Sequence, residues 1–304
     1  MRVRLVFVAM AAALAFASPS AAQPIDDLQR DDALVQTIGW RLSHANAPFC
    51  ARAAPGIGLL LGDMQTFADP ALAREAYGLS GDIAVAAVAA RSPAEAAGLA
   101  VNAVVNAVDG VPVGPPPRKG SWDRIWALQS RLEQAAARDG KVSLTLKGGS
   151  VVAITAAPSC GVRFILDDGK DNAGATRSQV RIGREALDRI GRDEAMIAAV
   201  LAHELAHAAL DHETLLGSGK RSTEAVRRTE READRLSVWI MANAGYPPEA
   251  ALRMIRLIGL RGLLVIPGAS HGKASTRAAE MTAEIAAMRA QPDTNWALRF
   301  RREP

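Results

Sequence analysis

Aromatic side chains are scarce in this chain. Only 4% of its 304 residues are Phe, Trp or Tyr, although 49% are hydrophobic. The core must therefore be packed from Ala, Leu, Val and Ile rather than from rings. Cysteine is scarcer still: Cys50 and Cys160 are the only two, which excludes a disulfide-dense scaffold. Long apolar runs are missing as well. Beyond the N-terminal stretch none reaches the roughly 18 residues that a membrane-spanning helix needs. Nor does one charge prevail. Lys and Arg number 36 against 32 Asp and Glu, a net charge of +4. Two of those charges, Arg2 and Arg4, leave if the N-terminal stretch is cleaved. What remains gives no case for nucleic acid. The run from Lys220 to Arg235 mixes both signs and reads as a solvated helix face rather than a basic patch.

The N-terminus has the make-up of a secretory signal over residues 1–22. Arg2 and Arg4 form a positive n-region and Leu5 to Phe16 an apolar h-region. Ser20-Ala21-Ala22 supplies small residues for cleavage before Gln23. No cysteine follows to take a lipid anchor. The expectation is an exported protein of the periplasm, with no transmembrane segment in the mature chain and both cysteines in an oxidising compartment.

Apolar periodicity places a helix over Asp31 to Asn46, with Leu34, Val35, Ile38 and Leu42 on one face and Pro48 behind it. The texture then changes. Val85 to Ala90 and Val104 to Val108 read as strands, the second closed by the Asp109-Gly110 turn. A helix runs from a Ser121 cap to Arg138. Lys141 to Leu146 and Val151 to Thr155 alternate about Gly148-Gly149 as a hairpin. After Cys160 come strands at Val162 to Leu166 and Gln179 to Ile182. Helices follow from an Asp193 cap, then over Thr223 to Ala244, Glu249 to Gly262 and Thr276 to Ala290.

The middle of the chain, residues 49–158, resembles a PDZ domain of the bacterial protease type. The residues that carry the likeness are Ser92-Pro93-Ala94-Glu95-Ala96-Ala97-Gly98-Leu99, Val104 to Val108, Asp109-Gly110 and Val113. Upstream, Gly56, Ile57, Gly58 and Leu59 fit the glycine–apolar–glycine–apolar loop with which such domains hold a peptide carboxylate. Backbone N–H groups there would form an anion nest beside a strand edge that accepts a peptide. The resemblance implies protein C-termini as partners. Asn102-Ala103, where a Gly-Asp pair is usual, and the extra Pro115-Pro116-Pro117 depart from the pattern.

The sharpest chemistry is His203-Glu204-Leu205-Ala206-His207, an H-E-x-x-H inside the apolar run Met196 to Ala202. Two histidines four apart share a helix face and reach one tetrahedral ion. Glu204, about 100° round the helix, can contact a metal-bound water without being a ligand. A third ligand comes from Glu230-Arg231-Glu232-Ala233-Asp234, which begins 23 residues after His207. Glu230 is assigned as that ligand and Asp234, one turn on, as the acceptor for the free ring N–H of His203. Glu232 is the alternative ligand but points to another face. His212, about 140° round the helix from His207, reads as structural.

These motifs together resemble the gluzincin metallopeptidases of the HtpX and CAAX-prenyl-protease group. Asp211-His212 after the H-E-x-x-H, Gly245-Tyr246-Pro247-Pro248, and Ser270-His271-Gly272 with Arg277 fall in the family order, Gly272 standing where a proline is usual. The resemblance covers residues 160 to 290. It implies one Zn2+ per chain on His203, His207 and Glu230, with Glu204 as general base and Arg277 supporting the ligands. His271 would polarise the carbonyl, stabilise the oxyanion or occupy the open metal position at rest.

The expected fold class is α+β. A mostly helical zincin-type metallopeptidase domain with a small edge sheet takes residues 23–48 and 159–304, and the β-rich PDZ-like domain is inserted between. An inserted domain leaves and returns at neighbouring points. Cys50 and Cys160 mark those points, which predicts a disulfide between them. The expected activity is zinc-dependent endoproteolysis of exported or envelope polypeptides, misfolded or unassembled ones above all, with substrate extended along an edge strand at Gln179 to Ile182. The competing reading is a PDZ-type adaptor or holding chaperone whose metal site is structural or silent. An intact Glu204 argues against it.

Overall fold

A computed structural model describes residues 27–116, 118, 120–167, 172–217, 222–261 and 272–303. The leader expected over residues 1–22 lies outside them. The fold is mixed α+β, with four small sheets among the described residues. No described helix is long and apolar enough to cross a membrane.

Helix α1 spans Asp27–Asn46, and its apolar face, Val35, Ile38 and Leu42, is fully buried. Strand β1 (Ala54–Gly56) leads into β2 (Leu59–Asp63). Next come α2 (Pro70–Ala76), β3 (Ile83–Val88), α3 (Pro93–Ala96), β4 (Val105–Val108) and β5 (Val111–Pro112). Helix α4 (Asp123–Asp139) stops at Gly140, whose φ of 65° is the left-handed conformation that glycine takes without strain. Its N-cap is Trp122 rather than Ser121. Ser121 Oγ instead accepts the Asp123 N–H, 3.1 Å away, just ahead of the helix. The hairpin is β6 (Lys141–Leu146) with β7 (Val151–Thr155). Strand β2 pairs with β3, and β5, β4, β6 and β7 form an antiparallel sheet in that order. With α4 these strands enclose one apolar cluster around Leu61, Val85, Leu128 and Leu144.

Strand β8 (Ala157–Ser159) runs antiparallel to β1, so the chain leaves and returns through one two-stranded ladder. The disulfide expected between Cys50 and Cys160 is present beside it, with Cα atoms 5.4 Å apart.

A second apolar cluster takes in α1, β9 (Arg163–Asp167), β11 (Gln179–Gly183), α6 (Glu194–Ala209), α8 (Thr223–Asn243), α9 (Glu249–Arg261) and α10 (Ala274–Arg289). The short elements β10 (Ala173–Ala175), α5 (Arg184–Arg189), α7 (His212–Leu216) and α11 (Trp296–Arg299) complete the order. Gly39 lets β9 lie flat on α1, because a Cβ there would collide with the Phe164 ring. Helix α6 is buried on nearly every side, which explains why Met196 to Ala202 is apolar without periodicity.

The third sheet runs β10-β11-β9, which corrects the reading of Gln179 to Ile182 as an edge strand. Strand β11 is central, parallel to β9 and antiparallel to β10. Val180 and Ile182 are both fully buried, as a central strand requires. The edge belongs to β10, whose Ala-Gly-Ala sequence carries no strand signature.

A cavity of about 460 Å³ lies where α1 and β9 meet β2 and β3, walled in part by Leu28, Asp32, Phe67, Trp126 and Ile165. Burial, and then the neighbouring Asp31 carboxylate, push the Asp32 pKa up from 3.8 to about 7. The folded chain thus holds this proton more tightly than the unfolded chain. The resulting stability is complete below the unfolded pKa and is lost as pH rises through about 7. Asp32→Asn is expected to remove that loss. Thermal unfolding midpoints measured between pH 5 and pH 8 should fall less in the variant than in the wild type. Parallel curves would refute the shift.

Candidate metal centre

Two helices build the site. Helix α6 starts at Asp193, whose side chain accepts the Met196 N–H, and α8 at Ser222, which accepts from Ala225. Packed side by side, they turn His203, His207 and Glu230 toward one point. The two Nε2 atoms lie 3.1 Å apart. Glu230 Oε2 is 3.4 Å from His203 Nε2, and its Oε1 is 3.5 Å from His207 Nε2. Ligands placed tetrahedrally at about 2.0–2.1 Å from one ion stand about 3.3 Å from each other. The donor set is two imidazoles and a carboxylate, and these three groups could hold a metal ion.

The histidine pair is electrostatically uneven. Burial disfavours charge on His203, but Asp234 and Glu230 outweigh it and raise its pKa to about 10. Burial pushes His207 down to about 3. The pair therefore carries one positive charge, on His203, and an entering ion has to displace the proton on that ring's Nε2.

Support comes from α8 and α10. Asp234 Oδ1 lies 3.1 Å from His203 Nδ1, close enough for strong attraction though off the line of a well-formed hydrogen bond. Arg277 grips Asp234 with two hydrogen bonds, Nε to Oδ2 at 2.6 Å and Nη2 to Oδ1 at 2.7 Å. The same guanidinium is 3.9 Å from Glu230 Oε2. Burial works against the Asp234 charge, and Arg277 more than offsets it, keeping the carboxyl below its ordinary range.

The site opens into a cleft of about 460 Å³. Glu204 lines it, together with Val200, Leu216, Val226 and Met254, and the β10 edge forms one wall. His271 lies outside the described residues. Glu232 is not with the metal cluster. It sits on another face of α8 and bonds His212 Nε2 at 3.0 Å. His212 in turn meets His207, Nδ1 to Nδ1 at 2.9 Å. Extrapolating α6 could not have found this contact. The helix ends at Ala209, and Asp211 turns with a φ of 54°, which brings His212 back beneath His207.

The Gly56–Leu59 loop belongs to a different place. Gly58 has a φ of 66°, and Ile57 and Leu59 are buried. The loop borders a second groove of about 420 Å³ between β2 and α4, where Gln129 Nε2 donates to Leu59 O at 3.3 Å. Arg163 reaches from β9 into this groove, pairing with Glu133 and donating to Ser130 Oγ at 3.0 Å.

Fold and site together define an α+β protein with a buried His–His–Glu group suited to a metal ion. No protein-family profile, no curated protein and no solved structure matches the chain.

Proposed function

We propose that this chain is a zinc-dependent endopeptidase of the gluzincin kind, similar to the HtpX and CAAX-prenyl-protease group. It acts on exported or envelope polypeptides in the periplasm, after removal of a leader. Residues 23–48 and 159–304 make its zincin-type domain, and residues 49–158 a PDZ-like insertion that binds substrates or partners. The observation that carries the reading is the pair of Nε2 atoms 3.1 Å apart, each 3.4–3.5 Å from one of the two Glu230 carboxylate oxygens, with Glu204 lining the cleft onto which they open.

A zinc ion bound by His203, His207 and Glu230 would polarise the scissile carbonyl and acidify the water beside it. The Glu204 carboxylate, which lines the cleft, would take the proton of an attacking water and pass it to the leaving amine. Asp234, held by Arg277, fixes the ring of His203. The edge of β10 that no other described strand pairs would offer its backbone groups to an extended peptide, which would join the sheet as an added strand. Val200, Leu216 and Met254 line the cleft with apolar surface, which lowers the local dielectric and strengthens the charges beside it.

Metal analysis and a casein-cleavage assay on purified protein test this. About one zinc per chain is expected, from three protein ligands and one open position. His203→Ala, His207→Ala and Glu230→Ala should each remove most of it, and chelator should abolish cleavage. Full zinc content in Glu230→Ala, or cleavage indifferent to chelator, would overturn the assignment.

A further inference from the structure

The reaction above uses the Nε2 atom of His207 and leaves its Nδ1 unexplained. That atom faces His212 Nδ1 at 2.9 Å, and His212 Nε2 faces Glu232 Oε2 at 3.0 Å. His212 and Glu232 are each only 1% exposed. The directions of these bonds follow from proton counting. As a ligand, His207 leaves Nε2 bare, so its proton sits on Nδ1. It donates to His212 Nδ1, which accepts. His212 then carries its own proton on Nε2 and donates it to Glu232.

Glu232 is itself held. Arg302 donates to its Oε2 from Nη2 at 2.9 Å and Nε at 3.2 Å. The Glu303 backbone N–H donates to Oε1 at 2.8 Å. Arg302 also binds Leu210 O, at 3.1 Å, where α6 has just ended. Arg231 secures the same segment through Glu303, at 2.6 Å. Residues 302 and 303 thus lie across Glu232 and join it to the end of the helix that carries both histidines.

We infer that His212, Glu232 and Arg302 are positioning residues for His207, forming a second supporting arm opposite Arg277–Asp234–His203. The inference rests on the reading of His203, His207 and Glu230 as a metal site. A bond chain of this kind fixes the tautomer and the ring plane of a ligand and raises its basicity. A histidine that merely filled space would need no acceptor aimed at a ligand's ring and no buried carboxylate behind it. The arm also makes the metal site depend on Arg302, a residue remote in sequence and outside the cleft.

The test reads metal binding rather than turnover. Zinc affinity is measured by competition with a chromophoric chelator, and geometry by the absorption spectrum of the cobalt-substituted protein. His212→Leu removes both the acceptor and the donor, and should weaken zinc by about 10–100-fold and alter the cobalt spectrum. His212→Gln carries an accepting oxygen and a donating NH2 group on a side chain of similar reach, and should recover most of that loss. Arg302→Ala should weaken zinc by less than His212→Leu does. Circular dichroism establishes that each variant is folded. Wild-type affinity and spectrum in folded His212→Leu would overturn the relay, as would equal losses in the Leu and Gln variants. If His212→Leu does not fold, Arg302→Ala decides: wild-type affinity there overturns the arm. A wild type that takes up no zinc defeats the underlying metal reading before any variant is compared.

Discussion

Glu204→Gln is expected to keep the full zinc content and to lose about 10²–10⁴-fold in peptide-bond cleavage, the range attributed to a positioned general base. The reason is local. Glu204 follows His203 directly on α6 and lines the cleft without joining the ligand group. A glutamine fills the same volume and cannot accept the proton of the attacking water. Binding of metal and of peptide should therefore survive while the chemical step fails. The assay pairs metal analysis with fluorogenic casein cleavage on the same preparation. A variant that kept more than about a tenth of wild-type turnover would move the base elsewhere in the cleft.

The largest effect on stability is expected from the disulfide. Cys50 and Cys160 close a loop with a sequence separation of 110. In the chain-entropy treatment such a loop is worth on the order of 4–5 kcal/mol, through the freedom it removes from the unfolded chain. Native packing adds to the case. Cys160 is buried, and its N–H donates to Ser43 Oγ of α1 at 2.8 Å. The double variant Cys50→Ala/Cys160→Ala should unfold at markedly lower urea concentration. Fitting midpoint and slope separates a true loss of stability from a change in the unfolded state. An unchanged midpoint would refute a stabilising role for the bridge.

The parts of the structure that could be read from the chain are those set by local spacing. His203 and His207, four apart, and Glu230 and Asp234, four apart, fell on shared faces because α6 and α8 are regular through those turns. The β6–β7 hairpin was legible from Gly148-Gly149. The disulfide was legible because the cysteines flank a change of texture. What escaped depends on contacts distant in sequence. The edge position of β10 is decided by its pairing with β11, and three small residues give no sign of it. His212 was placed by continuing a helix that in fact stops at Ala209. Besides His212, the partners of Glu232 lie about 70 residues further on, at Arg302 and Glu303, and no motif marks them.

The β1–β8 ladder bears on how the chain can change over time. Strands paired this way run about 4.8 Å apart. Residues 57–156 therefore begin and finish almost at one spot, and α1 and β9 also hold them along the way, Gln29 donating to Asn102 and Arg163 pairing with Glu133. Insertions or deletions in the outward loops of that stretch, away from those contacts, preserve the end points at β1 and β8. Drift should run fastest in the loops between Gly56 and Ala157, and slowest along the register of β9, which starts where the excursion closes.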